Sequence, residues 1–217
     1  MGTKIIVTTA AMLLGGLLFF ERRKRLRRVV ICKTVLSFLF IVAALVQPHQ
    51  ADPYYILILA GLGFCFVGDV LLANRRSREF LFGVGAFAAG HVTYSLGFFS
   101  IGRLQPDLGL AAVVVLIISG TVYFRLQPYL GKMRGYIIIY ILVISVMVVA
   151  AWSVTNSSDI PVQGRSMIVA GALLFYCSDL FVARERFVKH GFINRLIGLP
   201  LYYAGQFFLA FSPRFIG

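Results

Sequence analysis

Charge is scarce in this chain, and acid is scarcer still. Only 13% of its 217 residues are charged, and Asp and Glu together number 8. A soluble domain averages about 25% charged and about 45–50% apolar residues, so a water-soluble globular protein is excluded. Cysteine is sparse as well. Cys32, Cys65 and Cys177 all fall within or at the edge of apolar runs, which gives neither a disulfide framework nor a CxxC metal site. They read as small buried hydrophobes. A zinc hydrolase needs three or four clustered ligands. Of the histidines, His49 and His190 fall in loops on opposite sides, leaving His91 alone; no metal site is expected. The GxSxG elbow, the P-loop and GxGxxG are missing too, which removes their chemistries. Pro48, Pro53, Pro106, Pro128, Pro161, Pro200 and Pro213 are expected in loops or near span ends, without the paired breaks of discontinuous transporter helices.

What is abundant is hydrocarbon. The chain is 59% hydrophobic, with a mean hydropathy of +0.88. A spanning helix needs about 20 mostly apolar residues. Eight such runs are present, roughly 4–20, 29–47, 54–73, 80–100, 108–124, 135–152, 164–183 and 196–212. The expected fold is all-α: a polytopic membrane bundle of eight transmembrane helices forming a single domain over residues 1–217. The first run resembles a signal peptide in length only. Lys4 alone precedes it, and the basic stretch from Arg22 to Arg28 follows, the reverse of the signal order.

The net charge of +13 does not point to nucleic acid, because the bases cluster between apolar runs. Arg22 to Arg28, Arg75 to Arg78, Arg125 to Arg134 and Arg184 to Arg195 occupy alternate loops. The positive-inside rule puts those loops in the cytoplasm and both termini outside. An internal echo accompanies this pattern. Gly61 to Ala73 and Gly171 to Ala183 both read G-x7-D-x3-A, and their spacing of four spans suits two parallel four-helix repeats.

Asp69 and Asp179 are the acids embedded in apolar runs, and an ionisable group in a membrane span usually marks function. Each lies about 8–9 Å inside the following arginines at a rise of about 1.5 Å per residue. Lys33, Tyr140, Tyr202 and Tyr203 reach a similar level, while His91, Tyr94 and Gln206 lie deeper. Helical backbone satisfies itself in hydrocarbon, so these side chains must meet one another or water. A polar cavity open toward the cytoplasm is the economical solution. Blander roles compete: an ion pair between Lys33 and an aspartate, helix-linking hydrogen bonds from His91 and Gln206, and interfacial tyrosines. Asn74 and Ser178 would cap or orient the neighbourhood of the acids.

Gly68-Asp69-Val70-Leu71-Leu72, Phe82-Gly83 and Phe87 leading to His91-x-x-Tyr94, Tyr140 with Met147 and Ala150, Gly171 to Phe175 with Ser178-Asp179, and Tyr202-Tyr203-Ala-Gly-Gln206 stand out in order and spacing. Together they resemble the YhhN family. The resemblance covers about residues 30 to 210. It departs at Lys33-Thr34, where the family often has Lys-Pro. The resemblance implies lysoplasmalogenase activity: hydrolysis of a lysoplasmalogen vinyl ether to a fatty aldehyde and a glycerophospho-alcohol, without a cofactor. Its implied partners are the lysophospholipid substrate and membrane lipids, its expected location a bacterial inner membrane. A vinyl ether is hydrolysed by protonating its outer alkene carbon, and an ordinary Asp, pKa about 3.9, is ionised at neutral pH. Two buried aspartates sharing a site can leave one protonated and one ionised. Asp69 and Asp179 are therefore the expected catalytic pair, and Lys33, His91, Tyr94, Tyr140, Tyr203 and Gln206 the expected contacts to substrate and water. The competing class is a proton-coupled lipid or small-solute transporter using the same two acids.

Overall fold

The computed structural model describes residues 2–49, 52–73 and 77–216. Asn74, Arg75 and Arg76, read above as a cap and as loop cations, lie outside the described residues. Among those residues the secondary structure is helical, with no strand. Eight α-helices follow in order: α1 (Gly2–Arg22), α2 (Leu26–Val46), α3 (Pro53–Ala73), α4 (Ser77–Ile101), α5 (Asp107–Leu130), α6 (Arg134–Ser153), α7 (Val162–Ala183) and α8 (Phe192–Phe211). Twenty-one residues at about 1.5 Å each make about 31 Å, the thickness of a bilayer's hydrocarbon core.

Among the described residues, six segments are long and apolar enough to cross a membrane: Gly2–Arg22, Leu26–Val46, Pro53–Ala73, Arg78–Ile101, Asp107–Ser153 and Val162–Val188. The fifth holds 47 residues, about 70 Å if straight. It is folded in half instead. Gly131 takes φ 52° after Leu130, a left-handed turn that favours glycine, and α5 then packs antiparallel on α6. Helix α8 is missing from the apolar set because it carries Asn194, Arg195, Pro200, Tyr202, Tyr203 and Gln206. It is nonetheless packed deep in the bundle, against α7, α2 and α1. Pro200 corrects the expectation for proline: α8 begins at Phe192, so this residue lies inside the helix rather than near its end. The neighbouring helices hold α8 together across the missing backbone donor. Helix α2 runs unbroken through Lys33-Thr34.

The bundle is apolar on its outside and holds a polar cluster within a largely apolar core. Leu110, Ile117 and Phe124 of α5 stand exposed, whereas Lys33, Ser37, Asp69, His91 and Gln206 are buried. An exposed apolar surface of this extent belongs against lipid. Helix α3 pairs with α4 and α7 with α8, while α4 and α6 join the two pairs. Both pairs cross closely at glycine. A Cβ on Gly90 would come within 3.2 Å of the Gly61 carbonyl oxygen, and one on Gly205 within 2.9 Å of the Gly171 carbonyl oxygen.

Candidate functional site

Asp69 closes a set of buried partners from three helices. Lys33 and Ser37 stand one turn apart on α2, so both face α3. Lys33 Nζ lies 2.9 Å from Asp69 Oδ1, and Ser37 Oγ donates to Oδ2 at 2.5 Å. Tyr202 of α8 donates its hydroxyl to the same oxygen at 2.6 Å. Asp69 is 1% exposed. Three donors on one sealed carboxyl suit an anion, since an ionised carboxylate only accepts.

Behind this set runs a chain of hydrogen bonds. Tyr94 of α4 donates to Gln206 Oε1 at 2.8 Å, and Gln206 Nε2 donates to the Tyr202 oxygen at 3.3 Å. The Tyr203 hydroxyl lies 3.1 Å from Ser37 Oγ and donates to the Lys33 carbonyl at 3.4 Å. These links fix α8 against α2 and α4.

Asp179 on α7 is held differently. Tyr140 of α6 donates to its Oδ2 at 2.5 Å, and His91 Nε2 lies 3.7 Å from the same atom. His91 is fully buried, while the Asp179 side chain keeps 17% of its surface. Ser178, expected to orient the acids' surroundings, is buried beside Asp179.

Both acids line one cavity of about 720 Å³. Lys33, Tyr140 and Tyr202 line it with them, and Leu72, Phe87, Leu126 and Ile144 are among its apolar walls. Its mouth carries the exposed Arg22, Lys24 and His190, with Arg186, Arg195 and Glu185 beside them. Arg186 stacks over Phe80 at 4.4 Å. Glu185 accepts from the Gly191 backbone at 2.9 Å and from Asn194 at 2.7 Å, which ties the π-helical turn Arg184–Val188 to the start of α8. Among the described residues no three His, Cys, Asp or Glu side chains converge as a metal site would require.

Of the residues singled out from the sequence, Lys33, Asp69, Tyr140 and Asp179 face the cavity. His91, Tyr94, Tyr203 and Gln206 do not line it; each stands one or two hydrogen bonds behind the wall. Tyr202 and Ser37 were not singled out as site residues. Ser37 was available as the residue one turn beyond Lys33, and Tyr202 as the other half of the Tyr202-Tyr203 pair.

An all-helical chain with an apolar exterior and a sealed charged interior is an integral membrane protein, here with an acid-lined cavity inside the bundle. The YhhN family model matches residues 28–213, and the chain belongs to the YhhN family. It is 30% identical over 167 residues to lysoplasmalogenase TMEM86A of Bos taurus, covering 71% of this chain and 64% of the bovine protein. It is 28% identical over 164 residues to lysoplasmalogenase TMEM86A of Homo sapiens, covering 75% of this chain and 67% of the human one. The match thus spans about two thirds of these relatives' length. No solved structure matches the chain.

Proposed function

We propose that this protein is a lysoplasmalogenase that cleaves the vinyl ether bond of a lysophospholipid, with Asp179 as the acid and Asp69 as a fixed anion. One observation carries the assignment of roles. Asp69 is sealed and holds three donors, while Asp179 keeps an exposed edge in the same cavity. The names of the bovine and human relatives support the reaction.

The alkenyl chain lies along the apolar walls and the phosphate meets the cations at the mouth. Asp179 gives its proton to the outer alkene carbon as the double-bond electrons form the new C–H bond. The oxocarbenium ion that results lies on the Asp69 side of the cavity, where the carboxylate held by Lys33, Ser37 and Tyr202 presents a preorganised dipole to it. Water adds to the cationic carbon and returns a proton to Asp179. The hemiacetal hydroxyl then loses its proton as the C–O bond to the glycerol oxygen breaks and that oxygen gains one, giving fatty aldehyde and glycerophospho-alcohol, so one water is consumed overall. Lys33 holds the Asp69 charge in place, and Tyr202 orients it.

The same reading places the membrane. All eight helices span, α8 included, and the basic mouth opens to the cytoplasm, with both termini on the other side. Two parallel four-helix repeats are supported by the matched glycine crossings of α3 with α4 and α7 with α8, and by the common Gly-x7-Asp register of α3 and α7.

Purified, detergent-solubilised protein incubated with a mixed lysolipid pool provides the test. Mass spectrometry should find fatty aldehyde and glycerophospho-alcohol, with ester lysolipids untouched. Fatty acid release, or no turnover by well-folded protein, would overturn the reading. Movement of unaltered lysolipid across sealed vesicles without aldehyde would point to a transporter instead.

A further inference from the structure

Tyr140 stands between two acceptors with one proton to give. Its hydroxyl lies 2.5 Å from Asp179 Oδ2 and 3.0 Å from His91 Nε2. The other ring nitrogen, His91 Nδ1, lies 3.2 Å from Met147 Sδ. A thioether sulfur only accepts, so Nδ1 carries a hydrogen. Two arrangements then satisfy every contact. In one, protonated Asp179 donates to Tyr140, which donates to the bare Nε2 of a neutral imidazole. In the other, the imidazolium donates from Nε2 to Tyr140, which donates to the Asp179 carboxylate. Both contain the same number of protons. They differ by two short transfers through one hydroxyl.

We propose that Tyr140 and His91 form a sealed proton relay that stores the proton Asp179 delivers to substrate. The role of Asp179 rests on the vinyl ether reading above; the relay itself rests on the three distances and on burial. His91 is 0% exposed, walled by the Phe175 ring at 4.5 Å and the Tyr140 ring at 5.4 Å. A proton on its Nε2 therefore reaches the cavity through Tyr140 and Asp179. Among titratable groups, Cys65 of α3 and Asp179 of α7 face the relay, and Lys33, Asp69 and Tyr202 line the same cavity as Tyr140. Lys33 and Asp69 neutralise each other at 2.9 Å. Asp179 is left, among the described residues, as the anion placed to balance an imidazolium.

The relay gives His91 and Tyr140 a positioning role distinct from contact with substrate. Between turnovers the acid's proton moves inward to His91 and is not lost to cavity water. When substrate fills the cavity the proton returns through Tyr140 to Asp179, and the O–H bond breaks as the new C–H bond forms. The carboxylate left behind accepts from Tyr140 until the attacking water restores its proton.

Infrared spectroscopy of the purified protein in nanodiscs, titrated with pH, tests the relay without substrate. The protonated-carboxyl band removed by Asp179→Asn belongs to Asp179. In the wild type this band and the imidazole signals of His91 should change together. In Tyr140→Phe and His91→Phe the carboxyl band should change with no accompanying imidazole change. A parallel activity profile should show the pH dependence of kcat changed in both variants, with KM changed little. Met147→Leu keeps the packing but removes the sulfur acceptor, and should change the profile less than either. Independent titration of His91 and Asp179 in the wild type would overturn the relay. So would variants that lose activity with an unchanged profile. Coupled infrared signals in a protein that leaves lysoplasmalogen intact would uphold the relay and overturn the substrate reading instead.

Discussion

Lys33 and Asp69 meet at 2.9 Å with 10% and 1% of their side chains exposed, and an ion pair so placed is held by more than its own attraction. Burying two charges costs several kcal/mol each, and the pair breaks even only when its remaining groups are hydrogen-bonded. Ser37 and Tyr202 meet that condition for the carboxylate. Removing the lysine alone strands the acid. Lys33→Met should lower stability by about 3–5 kcal/mol, and Lys33→Met with Asp69→Leu should lose less than the single change, as read by thermal unfolding in detergent. A double variant less stable than Lys33→Met would contradict the pairing. The acids and the lysine were legible in the sequence because each interrupts an apolar run. Their partners were harder to read. Helical rise gives depth but not direction around the axis, and neighbours such as Tyr202 and Tyr203 point about 100° apart. Hence the sequence does not separate Tyr202, which touches Asp69, from Tyr203, which faces Ser37.

At the scale of the helix, most helix positions were legible to within a few residues because apolar runs of about 20 residues favour helices in a chain of this composition, although α5 runs on to Leu130, past the expected end at 124. The ends of α8 were less legible, since Asn194 and Arg195 look like loop residues. They are instead tied into the first turn of the helix, where Asn194 donates to Glu185. The close helix crossings make a sharper claim. A Cβ on Gly205 would sit 2.9 Å from the Gly171 oxygen and 3.2 Å from the Phe175 nitrogen, both backbone atoms that cannot rotate away. Gly205→Ala should therefore spread α7 from α8 and cost about 1–3 kcal/mol. Gly15→Ala on α1, with nothing within 4 Å, should be neutral or slightly stabilising. Equal unfolding temperatures for the two variants would contradict the packing described for α7 and α8.

For the whole molecule, apolar side chains cover the outside as well as filling the core, and a small charged and polar cluster is sealed within. Composition alone announced this. It could not announce the cavity, whose walls come from α1 through α8 and whose volume depends on how those helices lean together. The cavity joins a basic mouth to an apolar interior, with the two acids along the way. A single-chain amphiphile with an anionic headgroup matches that gradient of polarity, and a vinyl ether near the headgroup would reach the level of the acids. Hydrolysis there has one chemical signature that no ester or phosphate hydrolysis shares, because the first proton ends on carbon.

Turnover of lysoplasmalogen by the purified protein in deuterated water reads that signature directly, with the aldehyde trapped by reduction and analysed by mass spectrometry. Wild-type protein should place one deuterium on the carbon next to the former aldehyde, and Asp179→Asn, still folded and membrane-inserted, should release no aldehyde. Aldehyde without deuterium at that carbon, or near-full activity in Asp179→Asn, would contradict protonation of the alkene by Asp179.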